Sequence, residues 1–397
     1  MTLEVVILSR SLPFHSLGGM EIVTWDLSRE LVRIGHSVKI ITTSLPQKES
    51  EFEQDGVTVI ALENTPSGRY SSAWWRESHR YFEENCMSTT LAVISVSAAG
   101  FSLLPLKSKL PNTPFIMQAH GTSWGEITSK LRSRSARSIL SAIRNFIWLP
   151  KDLIAYRQFD IVVSVGERVN RDLAKLPTSL CLPKIKVRLI NNGIDTGMFR
   201  QSPEERLRIR KRLGIGEHVP VLISASRLHE QKGVSHCLKA FSELKRTVPD
   251  AVYLIAGDGP NRAELESLSD DLGVNSSVHF IGSVSRPELA NWLQSADAFL
   301  FLTNHVEGLP LNVLEALATG LPSVVSDHLM LFESNLLNYS HPLDYSKTSQ
   351  LLHDIMQNRS IKREELLPLK FSLRHSANLY SELISSTKRY KESHAHS

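Results

Sequence analysis

The sequence predicts an α/β protein built from two doubly wound, Rossmann-like domains in tandem. Short runs that are apolar on both faces and rich in β-branched residues alternate with amphipathic stretches over residues 4–327. That alternation is typical of βαβ units, in which helices cover both faces of a parallel sheet. The second half of the chain repeats the plan of the first, and 397 residues are enough for two domains.

The first half of the chain contains a series of short predicted strands. They are Val5–Ser9, Val38–Thr43, Val57–Ala61, Leu91–Val96, Phe115–Ala119 and Ile161–Val165. An apolar stripe at helical spacing predicts a helix over Met20–Ile34, and Gly35 is placed to end it.

The second half repeats this alternation and then becomes more polar. Its predicted strands are Val221–Ala225, Val252–Ala256, Val278–Ile281, Phe299–Leu302 and Ser323–Ser326. Its predicted helices are Ser235–Arg246, Arg262–Leu272, Pro287–Ser295, Leu311–Thr319, Leu351–Met356 and Ala377–Tyr390. Residues Asn338–Tyr345 are expected to be irregular because they are polar and show no period.

A turn at Asn192–Asp195 and a charged segment at Pro203–Arg212 mark the domain boundary. We expect an N-terminal domain over residues 1–190, a C-terminal domain over 191–370, and a C-terminal helix with a polar tail over 371–397. Two such domains facing each other would form a cleft at the carboxyl ends of both sheets, where open α/β sheets bind ligands.

Composition excludes several classes of protein. A net charge of +4 is too small to suggest nucleic-acid binding, and no apolar run approaches the ~20 residues of a spanning helix. The first residues form a strand-like run that contains Glu4 and no cationic leader, so we expect no signal peptide. Three widely spaced cysteines exclude a disulfide framework and a cysteine zinc site, which favours a reducing, cytoplasmic location.

The strongest motif is the nonapeptide Glu307–Glu315, which follows a buried strand and opens a helix. Pro310 suits the first helical turn, and the free amides at a helix N-terminus favour a phosphate. Glu315 could accept hydrogen bonds from ribose hydroxyls, and Glu307 from sugar hydroxyls. Taken alone, either glutamate would more often be an ordinary acidic residue at a helix start or in a loop. The motif as a whole favours a functional role for both.

Arg227 and Lys232 lie five residues apart, just beyond the strand Val221–Ala225. Two fixed cations there would hold a diphosphate, although a solvated basic loop is an equal alternative for this pair in isolation. The chain contains no Asp-x-Asp motif. Cations and helix dipoles would then stabilise a departing diphosphate without a metal ion or any other cofactor.

Two features of the first half are weaker signals. Gly18 and Gly19 lie between a strand and a helix, where a backbone can approach a ligand closely or simply turn. His120 ends the strand Phe115–Ala119. We assign His15 no role beyond acceptor-side contact, and Asn192 a structural role in its turn.

These motifs together resemble the family-4 retaining glycosyltransferases of GT-B fold, whose signature Glu307–Glu315 matches as E-x7-E. The match runs from about residue 4 to residue 327. The other segments that carry it are Gly18–Glu21, His120–Thr122, Asn192–Asp195, Ser226–Gly233, Leu254–Pro260 and Val278–Gly282.

The resemblance implies a nucleotide-diphosphate sugar as co-substrate, bound mainly by domain two, and a glycan or lipid-linked acceptor bound by domain one. It implies catalytic roles for Glu307, His120, Arg227 and Lys232, with His120 near the anomeric carbon. It implies donor contacts for Gly18, Gly19, Gly308, Leu309, Leu311 and Glu315. It suggests hexose transfer with retained configuration in cell-surface polysaccharide or lipopolysaccharide biosynthesis.

Residues 130–157 form a basic patch, with seven lysines and arginines against one acid. Apolar residues recur there at helical spacing. The pattern is typical of a helix that lies on an anionic membrane surface, or of a surface helix packed on domain one. A peripheral contact with the cytoplasmic face of a membrane is therefore one expectation.

Two other classes of function remain open. A nucleotide-sugar epimerase or an inverting transferase would also fit tandem Rossmann-like domains, although the Glu307–Glu315 motif argues against both. A catalytically inactive nucleotide-sugar-binding protein is the second alternative. The segment after Asp327 has no glycine, whereas the family usually continues with glycines near the donor.

Overall fold

The computed structural model describes residues 3–16, 18–45, 49–122, 150–305, 307–329, 331–357 and 367–395. The chain divides into two compact units. The first comprises Met1–Gly193 together with Leu369–Ser397, and the second comprises Ile194–Pro368. The end of the chain therefore belongs with the first unit, although it follows the second in sequence.

The sheet of the first unit has the strand order β3-β4-β2-β1-β5-β6-β7-β8. The strands are β1 (Glu4–Leu8), β2 (Ser37–Thr43), β3 (Glu51–Gln54), β4 (Val57–Leu62), β5 (Thr90–Val96), β6 (Phe115–Ala119), β7 (Ile161–Ser164) and β8 (Val187–Leu189). β3 pairs antiparallel with β4, and the other neighbours pair parallel.

The sheet of the second unit has the order β11-β10-β9-β12-β13-β14, and its strands pair parallel. The strands are β9 (Val221–Ala225), β10 (Val252–Ala256), β11 (Val278–Gly282), β12 (Ala298–Phe301), β13 (Ser323–Ser326) and β14 (Leu337–Ser340). The central strands β9, β12 and β13 are buried throughout, as expected for strands covered by helices on both faces.

The helices of the described residues alternate with these strands. In chain order they are α1 (Gly19–Arg33), α2 (Ser72–Asn85), α3 (Glu167–Leu173), α4 (Thr178–Cys181), α5 (Pro203–Arg212), α6 (Val234–Leu244), α7 (Arg262–Asp271), α8 (Arg286–Ser295), α9 (Leu311–Ala318), α10 (Tyr345–Gln357) and α11 (Leu373–Ala395). Residues 150–158 are also helical.

Each strand and helix predicted from the sequence has a counterpart in the structure. One expectation was wrong in part, because Leu337–Ser340, at the start of the segment expected to be irregular, is the edge strand β14. The charged segment Pro203–Arg212 forms α5, which begins at a serine cap: the Ser202 side chain accepts a hydrogen bond from the Glu205 amide.

The last helix, α11, is tied to the first unit along its length. Arg374 bonds to Glu30 at 3.1 Å, Ser376 donates to the Asn191 carbonyl at 2.8 Å, and Lys391 bonds to Asp160 at 2.8 Å. A Cβ at Gly193 would overlap the backbone of Leu373 at the start of this helix. The glycine of the Asn192–Asp195 turn is thus required by the close approach of α11.

Candidate functional site

The second unit has a topological switch point between β9 and β12. The chain continues from β9 to β10 and β11 on one side, and from β12 to β13 and β14 on the other. The loops that leave the carboxyl ends of β9 and β12 therefore diverge and leave a crevice, which is where open α/β sheets bind ligands. The residues singled out in the second half of the sequence follow these two strands.

Lys232 and Glu307 meet at this switch point. Lys232 follows β9 and Glu307 follows β12, and the Lys232 Nζ lies 2.6 Å from the Glu307 Oε1. The Lys232 ammonium also lies 5.9 Å from the centre of the Phe301 ring, on the strand that leads to Glu307. Both side chains are partly buried, so the pair is shielded from water and its attraction exceeds that of a surface pair.

The loop that carries Arg227 and Lys232 is rigidly supported. The Ser226 amide donates to the Ala256 carbonyl at 3.0 Å, and the Leu228 amide donates to the Asp258 carbonyl at 2.9 Å. A Cβ at Gly257 or Gly259 would overlap the carbonyl oxygens of this loop. The Gly257–Pro260 segment is therefore a turn between β10 and α7 that supports the loop. Arg227 itself is exposed.

Gly233 ends this loop in the left-handed conformation, with φ of +66°. A Cβ there would overlap the Leu302 carbonyl oxygen at the end of β12. The Thr303 hydroxyl donates to the Gln231 carbonyl at 2.6 Å. The two loops of the switch point are thus in direct backbone contact, and this contact leaves no room for a side chain at position 233.

The nonapeptide motif begins in a loop and ends inside α9. Gly308 and Leu309 precede the helix, and Leu311 is its first residue. Pro310 occupies the cap position, one residue before the first helical turn in which it was expected. The Asn312 side chain donates to the Ala225 carbonyl at 2.8 Å, so it ties the N-terminus of α9 to the end of β9.

Glu315 lies in the second turn of α9 and is buried. Its Oε1 lies 2.8 Å from the Nη2 of Arg286, the first residue of α8. The Arg286 guanidinium lies 5.1 Å from the centre of the Phe199 ring. This arginine was missed from the sequence, because the capping box of Ser285 and Glu288 indicates where α8 begins but not which side chain its first residue contacts.

In the first unit, the switch point lies between β1 and β5. Gly18 caps α1, and Gly19 is its first residue. His15, in the same loop, accepts a hydrogen bond from the Leu12 amide at its Nδ1, 3.0 Å away, and its Nε2 lies 3.3 Å from the Thr43 carbonyl. His15 therefore braces the loop between β1 and α1, and burial lowers its pKa below the ordinary 6.5.

His120 immediately follows β6, two strands away from β1 in the sheet order. Its Nε2 lies 2.9 Å from the Oε1 of Gln118. Burial lowers the pKa of His120 from 6.5 to about 4, so the imidazole is neutral at pH 7.

This shift predicts a pH dependence of stability. Because the folded pKa lies below the unfolded one, the native state binds fewer protons between pH 6.5 and about 4. The stabilisation is complete above pH 6.5 and is lost as the pH falls towards 4. We expect the urea midpoint of the wild type to fall more steeply between pH 6.5 and 4.5 than that of His120→Asn. Parallel curves for the two proteins would contradict this.

Within the described residues, no group of three or more histidines, cysteines, aspartates or glutamates is placed to hold a metal ion. None of the helices in that part of the chain is both long and apolar enough to cross a membrane. Residues 123–149, which include most of the basic patch at 130–157, lie outside the described ranges.

Two family models match successive parts of the chain. The model for Glycosyltransferase Family 4 matches residues 17–197, and the model for Glycosyl transferases group 1 matches residues 205–338. Together they account for most of the chain. The chain belongs to the family-4 glycosyltransferases of GT-B fold. Its two parallel-sheet units are the two Rossmann-like domains of that fold.

The chain is similar to curated proteins over part or most of its length. It is 36% identical over 182 residues to the GDP-mannose-dependent α-(1-6)-phosphatidylinositol monomannoside mannosyltransferase of Mycolicibacterium smegmatis, covering 44% of this chain and 47% of that one. It therefore spans about half the length of that relative. It is 26% identical over 336 residues to an uncharacterized glycosyltransferase of Methanocaldococcus jannaschii, covering 82% and 80%.

Among solved structures, the chain resembles the sucrose-phosphate synthase of Thermosynechococcus elongatus. The TM-score is 0.74 at 16% identity, with full coverage of both chains. At that identity the likeness supports the fold alone.

Proposed function

We propose that the protein transfers a hexose-type sugar from a nucleotide-diphosphate donor to a glycan or lipid-linked acceptor, with retained configuration and without a metal ion. The observation that carries this proposal is the Lys232–Glu307 pair at the switch point of the second unit. A cation and an anion 2.6 Å apart, close to a helix N-terminus, suit a ligand that combines phosphate with hydroxyl groups.

In this proposal, Lys232, Arg227 and the amides that follow Gly308 hold the diphosphate. The negative charge that develops on the leaving diphosphate is stabilised by these fixed donors, which need not reorganise during the reaction. Glu307 accepts hydrogen bonds from the donor sugar and Glu315 accepts them from the ribose. The departing phosphate takes the proton of the acceptor hydroxyl, and no protein nucleophile is required.

The donor is proposed to bind mainly to the second unit and the acceptor mainly to the first. Gly18 and Gly19 would let the backbone approach the donor, and His120 would contact its sugar. The similarity to the Mycolicibacterium smegmatis enzyme, a GDP-mannose-dependent phosphatidylinositol monomannoside mannosyltransferase, supports a nucleotide-sugar donor and a lipid-linked acceptor. Cell-surface polysaccharide or lipopolysaccharide assembly remains part of the proposal.

A panel of UDP-, GDP- and ADP-sugars tests this function. Each donor is incubated with the protein and EDTA, and the released nucleotide is quantified beside Glu307→Ala and Lys232→Ala. We expect release from one donor and its loss in both variants, while Glu243→Ala, at a partly exposed position near the end of α6, behaves as wild type. Tight donor binding without release, even with acceptor lipid present, would favour the inactive binder.

Arg286 yields a separate prediction about donor affinity. It bonds to the buried Glu315 carboxylate, which is proposed to hold the ribose. Loss of Arg286 would leave this carboxylate no longer fixed in position. A hydrogen bond to a charged group contributes roughly 1.5–3 kcal/mol. We expect Arg286→Met to raise the donor KM about tenfold or more and to change kcat little.

The control for this variant is Arg246→Met, which removes an exposed arginine that pairs with Glu243 near the end of α6. Steady-state kinetics with varied donor give both constants. An unchanged KM in Arg286→Met would show that the Arg286–Glu315 pair lies outside the donor site.

We also propose peripheral contact with an anionic membrane through residues 130–157 and their surroundings. In the described part of the first unit, large apolar side chains are exposed within this segment and after it in the sequence, namely Ile154, Leu176, Leu180 and Ile185. Each cation near an anionic leaflet contributes about 1 kcal/mol to membrane binding.

We expect the protein to co-sediment with vesicles that contain anionic lipid. Salt at 0.5 M should reverse this binding, because it shortens the screening length to roughly 4 Å. Equal binding to zwitterionic vesicles would contradict the electrostatic part.

A further inference from the structure

Two buried polar side chains in the first unit link α11 to His120. Gln118 lies in β6, two residues before His120, and is almost completely buried. Tyr380 lies in α11 and is also almost completely buried, among apolar side chains of the first unit. Burying an amide and a phenol in an apolar core is unfavourable unless both form hydrogen bonds.

The hydrogen bonds of these two side chains have a defined order of donors and acceptors. The Gln118 Nε2 donates to the Tyr380 Oη at 3.0 Å. With the amide in this orientation, its other end, Oε1, lies 2.9 Å from the His120 Nε2. A carbonyl oxygen can only accept, so the His120 Nε2 must carry a proton.

His120 has a single ring proton at neutral pH. Burial lowers its pKa to about 4, so the imidazole is neutral and only one of its nitrogens is protonated. With the proton on Nε2, the Nδ1 carries an unprotonated lone pair, which can accept a hydrogen bond but cannot donate one. The amide of Gln118 therefore selects what kind of ligand atom His120 can bind.

We propose that Gln118 and Tyr380 are positioning residues that hold His120 in its Nε2–H tautomer, so that Nδ1 accepts a hydrogen bond from a sugar hydroxyl. The ligand part of this proposal rests on the proposed glycosyl transfer, whereas the tautomer does not. The C-terminal helix then acts on the candidate site through a side chain 262 positions from Gln118 in the sequence.

The tautomer is measured directly on the full chain labelled with ¹⁵N-histidine. Long-range ¹H–¹⁵N correlation spectra distinguish a protonated from an unprotonated ring nitrogen, and His120→Asn assigns the signal. We expect the wild type to show Nε2–H at pH 7. We expect Tyr380→Phe and Gln118→Leu to shift the population towards Nδ1–H, because the amide is no longer held or is absent.

Two further variants distinguish a loss of His120 positioning from a general loss of structure. Tyr253→Phe removes an equally buried hydroxyl, bonded to Ser224 in the second unit, and should leave the His120 signal unchanged. Gln118→Glu keeps an oxygen acceptor next to Nε2, so it should retain the Nε2–H tautomer and raise the pKa of His120. A wild-type Nδ1–H tautomer, or no tautomer shift in both Tyr380→Phe and Gln118→Leu, would overturn the proposal.

The donor assay completes the test. We expect Tyr380→Phe to lower kcat about tenfold, the effect of one weakened hydrogen bond, with Gln118→Glu closer to wild type than Gln118→Leu. A tautomer shift with full kcat would overturn the ligand part alone. If the wild type transferred no sugar, the proposed function would fail, and the spectra would still decide the tautomer.

Discussion

Glu307→Gln is expected to lower the rate of donor turnover by about a hundredfold, the order of loss that follows when a reacting group is no longer held in its productive position. The substitution keeps the shape of the side chain but removes the charge that lies 2.6 Å from the Lys232 Nζ. The ammonium loses its partner, and the proposed acceptor of sugar hydroxyls becomes a mixed donor and acceptor. Single-turnover release of nucleotide at saturating donor measures this step.

The pairing with Lys232 makes the prediction specific. Two residues that act as a unit give non-additive losses, so Glu307→Gln combined with Lys232→Met should lose little more than the worse single variant. Glu243→Gln, which alters an exposed ion pair on α6, serves as the control. A Glu307→Gln rate within threefold of wild type would contradict a role for this carboxylate in turnover.

The second large effect concerns Gly233. Gly233→Ala should destabilise the second unit by about 2–5 kcal/mol, since it adds steric overlap to the roughly 1–2 kcal/mol cost of a left-handed alanine. Its Cβ would overlap the Leu302 carbonyl oxygen, which is backbone and cannot rotate away. Any shift that relieves the overlap also moves Lys232, so we expect donor affinity to fall with stability.

Gly214 provides a matched control. Its φ of +68° is nearly that of Gly233, yet a Cβ there would meet no atom within 4 Å. Gly214→Ala should therefore lower the free energy of unfolding only by the cost of a left-handed alanine, about 1–2 kcal/mol. Urea unfolding and donor calorimetry on both variants separate the two contributions. Equal destabilisation would show that the contact between the two loops of the switch point tolerates a side chain.

The sequence alone was sufficient for the parts of the fold that depend on local pattern. Strands such as β9 and β12 are short, apolar and flanked by turns, and the motif residues follow them directly, so Lys232 and Glu307 were predicted at the same edge of a sheet. Their contact depends on the strand order, which the local pattern does not contain.

Other features depend on pairings between distant positions, and the sequence did not reveal them. Arg286 contacts Glu315 from a different helix, and Tyr380 reaches Gln118 across most of the chain. Helix α5 was not predicted because it is highly charged, and the two residues it buries include Arg210. That arginine bonds to Asp297 and to four backbone carbonyls, which explains its burial. Because a charged residue is buried here, the sequence of α5 shows no apolar stripe at helical spacing.

The return of α11 to the first unit has a consequence for the order in which the protein can fold during synthesis. The sheet of the first unit leaves the ribosome before the second unit, but the helix that covers part of its apolar surface leaves after it. The whole second unit must be made in between. The nascent chain therefore carries an uncovered apolar face through the translation of roughly half its length, a period in which a chaperone would protect it from aggregation.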